Sequence, residues 1–172
     1  MACIDERPNE MQKCFHGKYM GKVTDNLDPA GLGRIRAKVR TLLGDNETGW
    51  AMPCVPYAGN NVGMYFIPPK DSSIWIEFLD GDLEKPIYVG CFWETGQVPL
   101  KNMDPNKKIL KTEKVTLEIN DGANNETILI KTEKDQKIII KSNSIELKQG
   151  GCSIRLTSDA VSINGSNLQI LK

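Results

Sequence analysis

The second part of this chain lacks aromatic residues: none occurs after Trp93, and Pro105 is the only proline beyond residue 100. Without large side chains, about 60 residues cannot build an ordinary compact core. We therefore expect this part to bury small and β-branched side chains in a repetitive arrangement. The first part holds every tryptophan, tyrosine and phenylalanine, which predicts a conventional core there.

An excess of charge is also missing, because 22 basic residues balance 22 acidic ones among 172 residues. This balance disfavours a general nucleic-acid binder, which needs excess positive charge. No apolar run approaches the ~18 residues that cross a bilayer, and the polar N-terminus does not resemble a signal peptide. We therefore expect cytosolic synthesis, and the 40% hydrophobic share is typical of a folded protein.

Motifs for catalysis are absent from the sequence as well. It has no serine-hydrolase elbow, zinc-protease helix or phosphate-binding loop, and we interpret the lone His16 as a surface or interface residue. The five cysteines form no Cys-x-x-Cys pair, so cytosolic synthesis predicts free thiols. We therefore predict a protein that is not an enzyme and needs no cofactor.

Three weaker possibilities for chemistry stay open. The acidic turn Asp80-Gly81-Asp82-Leu83-Glu84 is a fragment of a calcium loop without the closing ligand of an EF-hand. Glu77 and Asp80 are the residue types of glycosidase carboxylates, although nothing marks a substrate cleft. If Cys152 faced a threefold axis, it would meet its symmetry copies, and three thiols there would form a metal site.

Short strands separated by turns dominate residues 17–95. The segment from Arg34 to Arg40 alternates strictly, which predicts that Ile35, Ala37 and Val39 face inward. Further strands are predicted, with glycine- or proline-containing turns between them, at 17–24, 74–79 and 87–92. About five strands in ~80 residues favour a small closed barrel over a sandwich.

The outward side of the strand at 34–40 carries four cations: Arg34, Arg36, Lys38 and Arg40. We interpret this row either as a solvated face or as a contact with an acidic partner protein. Nucleic acid is disfavoured because residues 1–100 have more acids than bases, and no aromatic residues lie between these cations.

Apolar pairs recur beyond residue 111, and short polar turns separate them. Each set predicts a strand with one apolar face: Val115 and Leu117, Ile128 and Leu129-Ile130, Ile138 and Ile140, Ile145 and Leu147, Ile154 and Leu156, Val161 and Ile163, Leu168 and Ile170. In one copy, so few apolar side chains cannot offset the entropy cost of ordering the segment. We therefore predict a homotrimer wound around one axis, with a monomeric solenoid as the alternative.

Six short motifs occur in order between residues 17 and 95. They are Gly21-Lys22-Val23, Asp28-Pro29-x-Gly31-x-Gly33-Arg34-Ile35-Arg36, Pro56-x-Ala58-Gly59, Pro68, Phe78-x-x-Gly81-Asp82 and Pro86-Ile87-x-x-Gly90. In this order, and followed by a β-repeat, they resemble the central spike proteins of contractile tails, which include phage baseplate spikes and the VgrG proteins of type VI secretion. One departure is Pro69-Lys70-Asp71-Ser72, where the family usually has a glycine after the proline.

The resemblance implies an all-β fold, with an N-terminal OB-fold barrel followed by a C-terminal intertwined triple-stranded β-helix in a homotrimer. The corresponding boundaries are an N-terminal tail at 1–16, which holds the only plausible helix, an OB-fold domain at 17–98, a linker at 99–110 and a β-helix needle at 111–172. Because only a short tail precedes the barrel, a separate hub protein is expected.

The resemblance also implies a structural spike that joins the hub to a tip and pierces the target envelope when the sheath contracts, in a phage tail, a tailocin or a type VI-like particle. The implied hub contacts are Arg34, Arg36, Lys38 and Arg40, and the implied contacts with a PAAR-type tip protein are Leu168, Ile170 and Lys172. Other baseplate proteins and, transiently, the target membrane complete the expected partners, without nucleic acid. The alternative is an OB-fold module that binds oligosaccharide or single-stranded nucleic acid and has a trimerising stalk.

Overall fold

The computed structural model describes residues 14–100, 102–165 and 167–171. The chain forms two compact units, one ending at Gln97 and the other beginning at Val98. Within the described ranges the regular structure is almost entirely β-strand, as predicted. No helix in these ranges combines the length and the apolar character needed to cross a membrane.

The N-terminal unit is built from seven short strands. They are β1 (Tyr19–Asp25), β2 (Arg36–Lys38), β3 (Met52–Pro53), β4 (Ala58–Gly59), β5 (Val62–Gly63), β6 (Ser73–Phe78) and β7 (Pro86–Cys91). Helix α1 (Arg40–Leu43) follows β2, and a 3-10 turn (Leu79–Gly81) follows β6. Five of the strands form one sheet in the order β2-β1-β6-β7-β3, and β4 pairs with β5 in a hairpin.

Isolated bridges join the two edges of the five-stranded sheet. Ile35 precedes β2 and Ala51 precedes β3, and these two residues exchange backbone hydrogen bonds of 3.2 and 2.7 Å. A second bridge links Lys38 with Glu47. The sheet therefore curves back on itself, as predicted for a small barrel.

The core of the barrel follows the alternation in the sequence. Ile35, Ala37 and Val39 are fully buried, and Ile74 and Ile76 fill the same core from β6. The strand predicted at 34–40 is shorter than expected, since the backbone turns into α1 after its third buried residue. The helix predicted within residues 1–16 falls mostly outside the described residues, and residues 14–16 are not helical.

Residues 14–16 pack against the turn that follows β6. The Phe15 N–H donates to the Gly81 carbonyl at 2.9 Å, and the Phe15 ring meets the Phe78 ring edge-on, with 6.5 Å between their centres. Gly81 is buried with φ of +79°, and a Cβ at this position would lie 3.0 Å from the Phe15 nitrogen. The close approach therefore requires glycine.

One expectation about the cysteines is wrong. Cys14 is disulfide-bonded, whereas Cys54, Cys91 and Cys152 are free thiols, and Cys3 lies outside the described residues. The prediction of free thiols throughout rested on the cellular compartment alone, which carries no information about which sulfur atoms the fold brings together.

The C-terminal unit is an eight-stranded antiparallel meander. Its strands are β8 (Lys107–Lys111), β9 (Val115–Asn120), β10 (Thr127–Thr132), β11 (Gln136–Lys141), β12 (Ser144–Gln149), β13 (Cys152–Leu156), β14 (Ala160–Ile163) and β15 (Leu168–Leu171). Each strand pairs with the next one in sequence. Short turns force consecutive strands to reverse direction, so every neighbouring pair in this sheet is antiparallel.

The predicted linker at 99–110 extends too far toward the C-terminus. Strand β8 covers most of its second half and pairs with β9, which places Leu110 opposite Leu117. The alternation in β8 escaped prediction because its two apolar residues, Ile109 and Leu110, are adjacent and so lie on opposite faces.

Candidate functional site

One face of the C-terminal sheet is covered by aliphatic side chains in two rows that run across the strands. The first row is Leu110, Leu117, Ile130, Ile138, Leu147, Ile154, Ile163 and Leu168. The second row is Ile119, Ile128, Ile140, Ile145, Leu156, Val161 and Ile170. Together these residues are named the aliphatic face below.

The aliphatic face is open to solvent in a single chain. Ile138 is 40% exposed and Ile145 is 44% exposed, and these values are typical of the face. Soluble monomers rarely expose a contiguous apolar patch of this extent, and removal of such a surface from water is the main driving force for association. The aliphatic face is therefore the strongest candidate for a functional surface, as an interface with further protein.

A polar row borders the aliphatic face. Gln136 lies opposite Gln149, which lies opposite Cys152. The Thr132 hydroxyl donates a hydrogen bond of 2.9 Å to the side chain of Gln136. Cys152 therefore lies at the edge of the aliphatic face. The hypothesis of a metal site on a threefold axis requires Cys152 to be on this face. Among the described residues, no group of three or more His, Cys, Asp or Glu side chains is placed to hold a metal ion.

The opposite face of the sheet, named the polar face, is mostly charged, although Leu129 and Ile139 also lie on it. Lys131, Lys137 and Lys148 lie opposite one another on three adjacent strands. Lys137 is ion-paired with Asp135 and lowers the pKa of that carboxyl, and Lys148 pairs with Glu146 at 3.1 Å. Paired charges of this kind suit a surface in water, so only the aliphatic face calls for a covering partner.

The last strand carries the predicted contacts with a tip protein. Strand β15 is an edge of the sheet, and its Leu168 and Ile170 are the most exposed members of the aliphatic face, at 53% and 60%. The third predicted residue, Lys172, lies outside the described residues. An edge strand presents a row of backbone groups that can pair with a further strand.

The four predicted hub contacts are not equivalent, because Arg34 is bound to Asp28. The Arg34 Nη2 and Nε atoms donate to the two carboxylate oxygens at 2.7 and 3.0 Å. The backbone N–H groups of Ala30 and Leu32 donate to the same carboxylate, and only 3% of the Asp28 side chain is exposed. The Arg34 guanidinium holds the pKa of Asp28 well below its usual range. Arg34 therefore fixes the turn before β2.

The other three cations form a smaller positive surface than predicted. The Arg36 guanidinium lies 4.9 Å from the centre of the Trp50 ring, and its Nε is buried without a hydrogen-bond partner. Lys38 lies opposite Lys22 across the β1–β2 pair, and Arg40 is exposed at the start of α1. These three residues keep charge that a partner can reach, whereas the charge of Arg34 is matched within the barrel.

The weaker candidates for chemistry have ordinary surface contacts. Glu77 is ion-paired with Lys18. The Asp82 carboxylate accepts the N–H of Glu84 and lies 3.2 Å from the Lys85 ammonium, and both contacts lower its pKa. His16 is exposed. These contacts are those of solvated side chains.

The barrel has two apolar surfaces that the sequence did not predict. On the outer side of the sheet, Met20 lies opposite Trp75, and the centre of the Trp75 ring is 4.7 Å from that of Phe92. These three residues are named the Trp75 surface. No local sequence signal joins Met20 to Trp75, because their contact depends on the register between β1 and β6.

The second surface lies around the β4–β5 hairpin. It is an apolar groove, named the Tyr65 surface, and its large side chains are Leu32, Tyr57, Val62, Met64, Tyr65 and Phe66. A signal for it was present in the sequence, since three aromatic residues flank a short segment with two glycines and two asparagines. Such a segment predicts an exposed hairpin, and aromatic residues on an exposed hairpin indicate a contact surface.

The Trp75 surface has little of the character of a nucleic-acid site. Single strands bind to aromatic rings set among available cations. The next outward residue on β1 is Lys22, and its ammonium is 2.7 Å from Glu94 and 2.9 Å from the Ser73 hydroxyl. The charge of Lys22 is therefore matched within the barrel.

Two family comparisons cover most of the chain. Residues 19–93 match the type VI secretion system/phage-baseplate injector OB domain. Residues 107–169 match the phage baseplate V C-terminal trimerisation domain. The second match supplies the partner that the aliphatic face lacks, namely further copies of the same chain in a homotrimer. The chain belongs to the baseplate spike family of phage tails and type VI secretion systems, in which it has a structural role.

Proposed function

We propose that this protein is the central spike of a contractile injection machine, which joins a hub to a tip and pierces the target envelope when the sheath contracts. The observation that carries the proposal is the aliphatic face, which extends through all eight strands of the C-terminal sheet. Three such faces, turned toward one axis, enclose a dry interior and form an intertwined β-helical needle.

Burial of the aliphatic face drives the assembly of the needle. A fully buried Leu or Ile side chain contributes ~1.5–3 kcal/mol, and the side chains of this face still expose about two fifths of their surface. Covering about fifteen of them contributes on the order of 10 kcal/mol per chain. This free energy is gained only when the face is covered by other copies. The needle therefore becomes ordered in the same step in which three copies associate.

The same arrangement lets the needle carry load. Strands in a sheet stack at ~4.8 Å, so the eight strands extend the needle by about 35 Å. Backbone hydrogen bonds run along this direction from strand to strand, and close packing of the interior resists bending. The force comes from the sheath, and the spike transmits it.

The barrel faces a separate hub protein through Arg36, Lys38 and Arg40. Their positive charge fits an acidic surface, and Arg34 supports the turn beside them by its ion pair with Asp28. Contact between opposite charges steers association and fixes orientation. This assignment also rests on the resemblance to spikes whose hub is a distinct module.

The free edge of β15 receives a PAAR-type tip protein. Leu168 and Ile170 leave an apolar, unpaired end that would otherwise invite aggregation. The tip covers this end and makes the first, transient contact with the target membrane. The spike itself acts without catalysis; it is made in the cytoplasm and then becomes part of the particle.

The test compares two variants in the particle that carries this chain. Ile130→Lys places a charge in the aliphatic face, and Leu129→Lys places the same charge next to it, on the opposite face beside Glu118. We expect particles with the first variant to contract without depolarising target cells, and particles with the second variant to depolarise them as the wild type does. Electron microscopy of the same samples reports whether the spike is present.

Depolarisation by particles that lack the spike would contradict the proposed function. The same holds if the Ile130→Lys and Leu129→Lys particles behave alike, because the aliphatic face would then have no special role.

A further inference from the structure

The Trp75 surface is a small apolar area on the outer side of the barrel, with Trp75 and Phe92 half-buried and Met20 exposed. Trp75 lies between Met20 on β1 and Gly90 on β7, and the glycine places no side chain beside the indole. The Phe92 ring lies against the indole at a tilt of 38°, and Met20 is 60% exposed. The charged neighbours Lys22 and Glu94 pair with each other, so the area carries no net charge that would keep it in water.

The Tyr65 surface is a rigid groove. The Tyr88 hydroxyl donates to the Gly33 carbonyl at 2.9 Å, and the Met64 N–H donates to the Tyr57 carbonyl at 2.9 Å. A Cβ on Gly33 would lie 3.0 Å from the Ile67 Cδ1 atom and 3.4 Å from the Tyr65 ring, so the ring packs directly against the glycine backbone. The Tyr65 side chain nevertheless remains 75% exposed.

The chemistry of the groove selects an apolar partner. None of the residues that line it carries a charge, and its large side chains are aromatic or aliphatic. An acidic hub or a phosphate backbone would find no counter-charge there. The Trp75 surface has the matching chemistry, because it presents uncharged aromatic and methionine side chains.

A threefold ring needs two different surfaces on every subunit. Contacts around a cyclic trimer are head-to-tail, so one patch of each copy meets another patch of the next copy. The barrel offers two apolar surfaces that share no residue, one on the outer side of the β1–β6 pair and one around the β4–β5 hairpin. When the first surface of one copy packs against the second surface of the next copy, a single kind of partner covers both surfaces. That partner is a second copy of the chain.

The trimerisation domain holds the three barrels near one another. About nine residues, 98–106, separate the end of the first unit from β8, and a chain of this length spans roughly 15 Å as a coil. Tethering over such a distance gives an effective concentration on the order of 1 mM. A contact between barrels that is weak in isolation is therefore formed in the trimer.

We propose that, in the trimer, the Trp75 surface of each barrel packs into the Tyr65 surface of the next copy. The inference rests on the homotrimer of the proposed function and is independent of envelope piercing. It turns the barrels into a closed ring, which gives the hub a symmetric platform instead of three separately tethered domains.

The test is photo-cross-linking of the full-length chain with p-benzoylphenylalanine in place of Tyr65. Trimers are assembled from a mixture of isotope-labelled and unlabelled copies, so that mass spectrometry separates cross-links between copies from those within a chain. We expect cross-links from position 65 of one copy to peptides of another copy that contain Met20 or Trp75. Met20→Arg should reduce them at least tenfold, whereas Leu79→Arg, at an exposed apolar residue outside both surfaces, should leave them unchanged.

Light scattering on the same samples separates this inference from the proposed function. If the protein is a trimer but cross-links form only within one chain, to another Tyr65 surface or not at all, the ring contact is wrong and the spike proposal stands. If the protein is a monomer, the homotrimer fails, and the spike proposal and the ring contact fail with it.

Discussion

Ile139 and Ile140 are consecutive residues of β11 that face opposite sides of the C-terminal sheet. Ile140 lies between Ile128 and Ile145 in the aliphatic face, whereas Ile139 lies between Leu129 and Glu146 on the polar face. The two residues share their type and their strand. They therefore form a matched pair that isolates the contribution of the aliphatic face.

Ile140→Lys should dissociate the trimer, because three ammonium groups would enter an interior without counter-charges, which costs several kcal/mol per charge. Ile139→Lys should leave the trimer intact, since the new ammonium lies in solvent next to Glu146. Light scattering at micromolar concentration measures both masses. Equal masses for the two variants would show that the aliphatic face does not hold the copies together.

The sequence predicted the apolar rows because β-strands repeat every two residues, and pairs such as Ile138 and Ile140 show that repeat directly. It did not predict the contact between Arg34 and Asp28, since a row of alternating cations looks the same whether or not a turn supplies a carboxylate. The Met20–Trp75 contact was equally hidden, because it depends on strand register. The sequence therefore predicts the periodicity within a strand. It does not predict contacts that depend on turns or on the pairing of strands.

The Asp28–Arg34 ion pair should make the barrel acid-sensitive. The folded-state pKa of Asp28 lies below its unfolded value, which is about 3.9. The pair therefore contributes its full stability above that value and loses it as the pH falls through the folded-state pKa. Asp28→Asn should lower the urea midpoint at pH 7 by roughly 1 M and flatten its dependence on pH below about 4.

Tryptophan fluorescence is the measurement for this variant, because the last tryptophan is Trp93 and the signal reports the barrel alone. Asp45→Asn, at an exposed carboxylate, serves as the control. An Asp28→Asn midpoint equal to that of the control would contradict the structural role given to Arg34.

The barrel should lose stability at alkaline pH when the Tyr88 hydroxyl ionises. Burial raises the pKa of its hydroxyl to about 12, above the ordinary value near 10. Its stabilising contribution is complete below about pH 10 and is lost as the pH rises through the folded value. Absorbance titration should resolve one tyrosine that ionises last, and Tyr88→Phe should remove it.

At neutral pH, Tyr88→Phe should also cost ~1–2 kcal/mol, because the Gly33 carbonyl loses its donor at 2.9 Å. Tyr57→Phe, at an exposed ring, is the comparison. If the Tyr57→Phe protein loses the last titration step and the Tyr88→Phe protein keeps it, the hydrogen bond to Gly33 is misassigned.

Lys38→Glu combined with Arg40→Glu should weaken attachment to the hub. Both side chains keep charge that a partner can reach, so reversing them replaces attraction by repulsion, and the effect should shrink at high salt. Retention of the spike in purified particles measures attachment, and we expect at least a tenfold loss. Lys131→Glu with Lys141→Glu, on the polar face of the needle, is the control; an equal loss there would indicate a general charge effect.

Leu168→Lys combined with Ile170→Lys should release the tip protein without dissociating the trimer. The change affects only the last strand, and the six strands from β9 to β14 keep both apolar rows. Co-purification with the tip protein reports the first effect and light scattering reports the second. If this variant retains the tip protein fully, β15 does not form the contact with the tip.

The most direct test of the account is the mass of the full-length protein in solution at micromolar concentration, measured by light scattering coupled to gel filtration. The account predicts about 58 kDa, three times the 19.2 kDa of one chain. A mass near 19 kDa would contradict it, because the aliphatic face would then be stable in water without further copies.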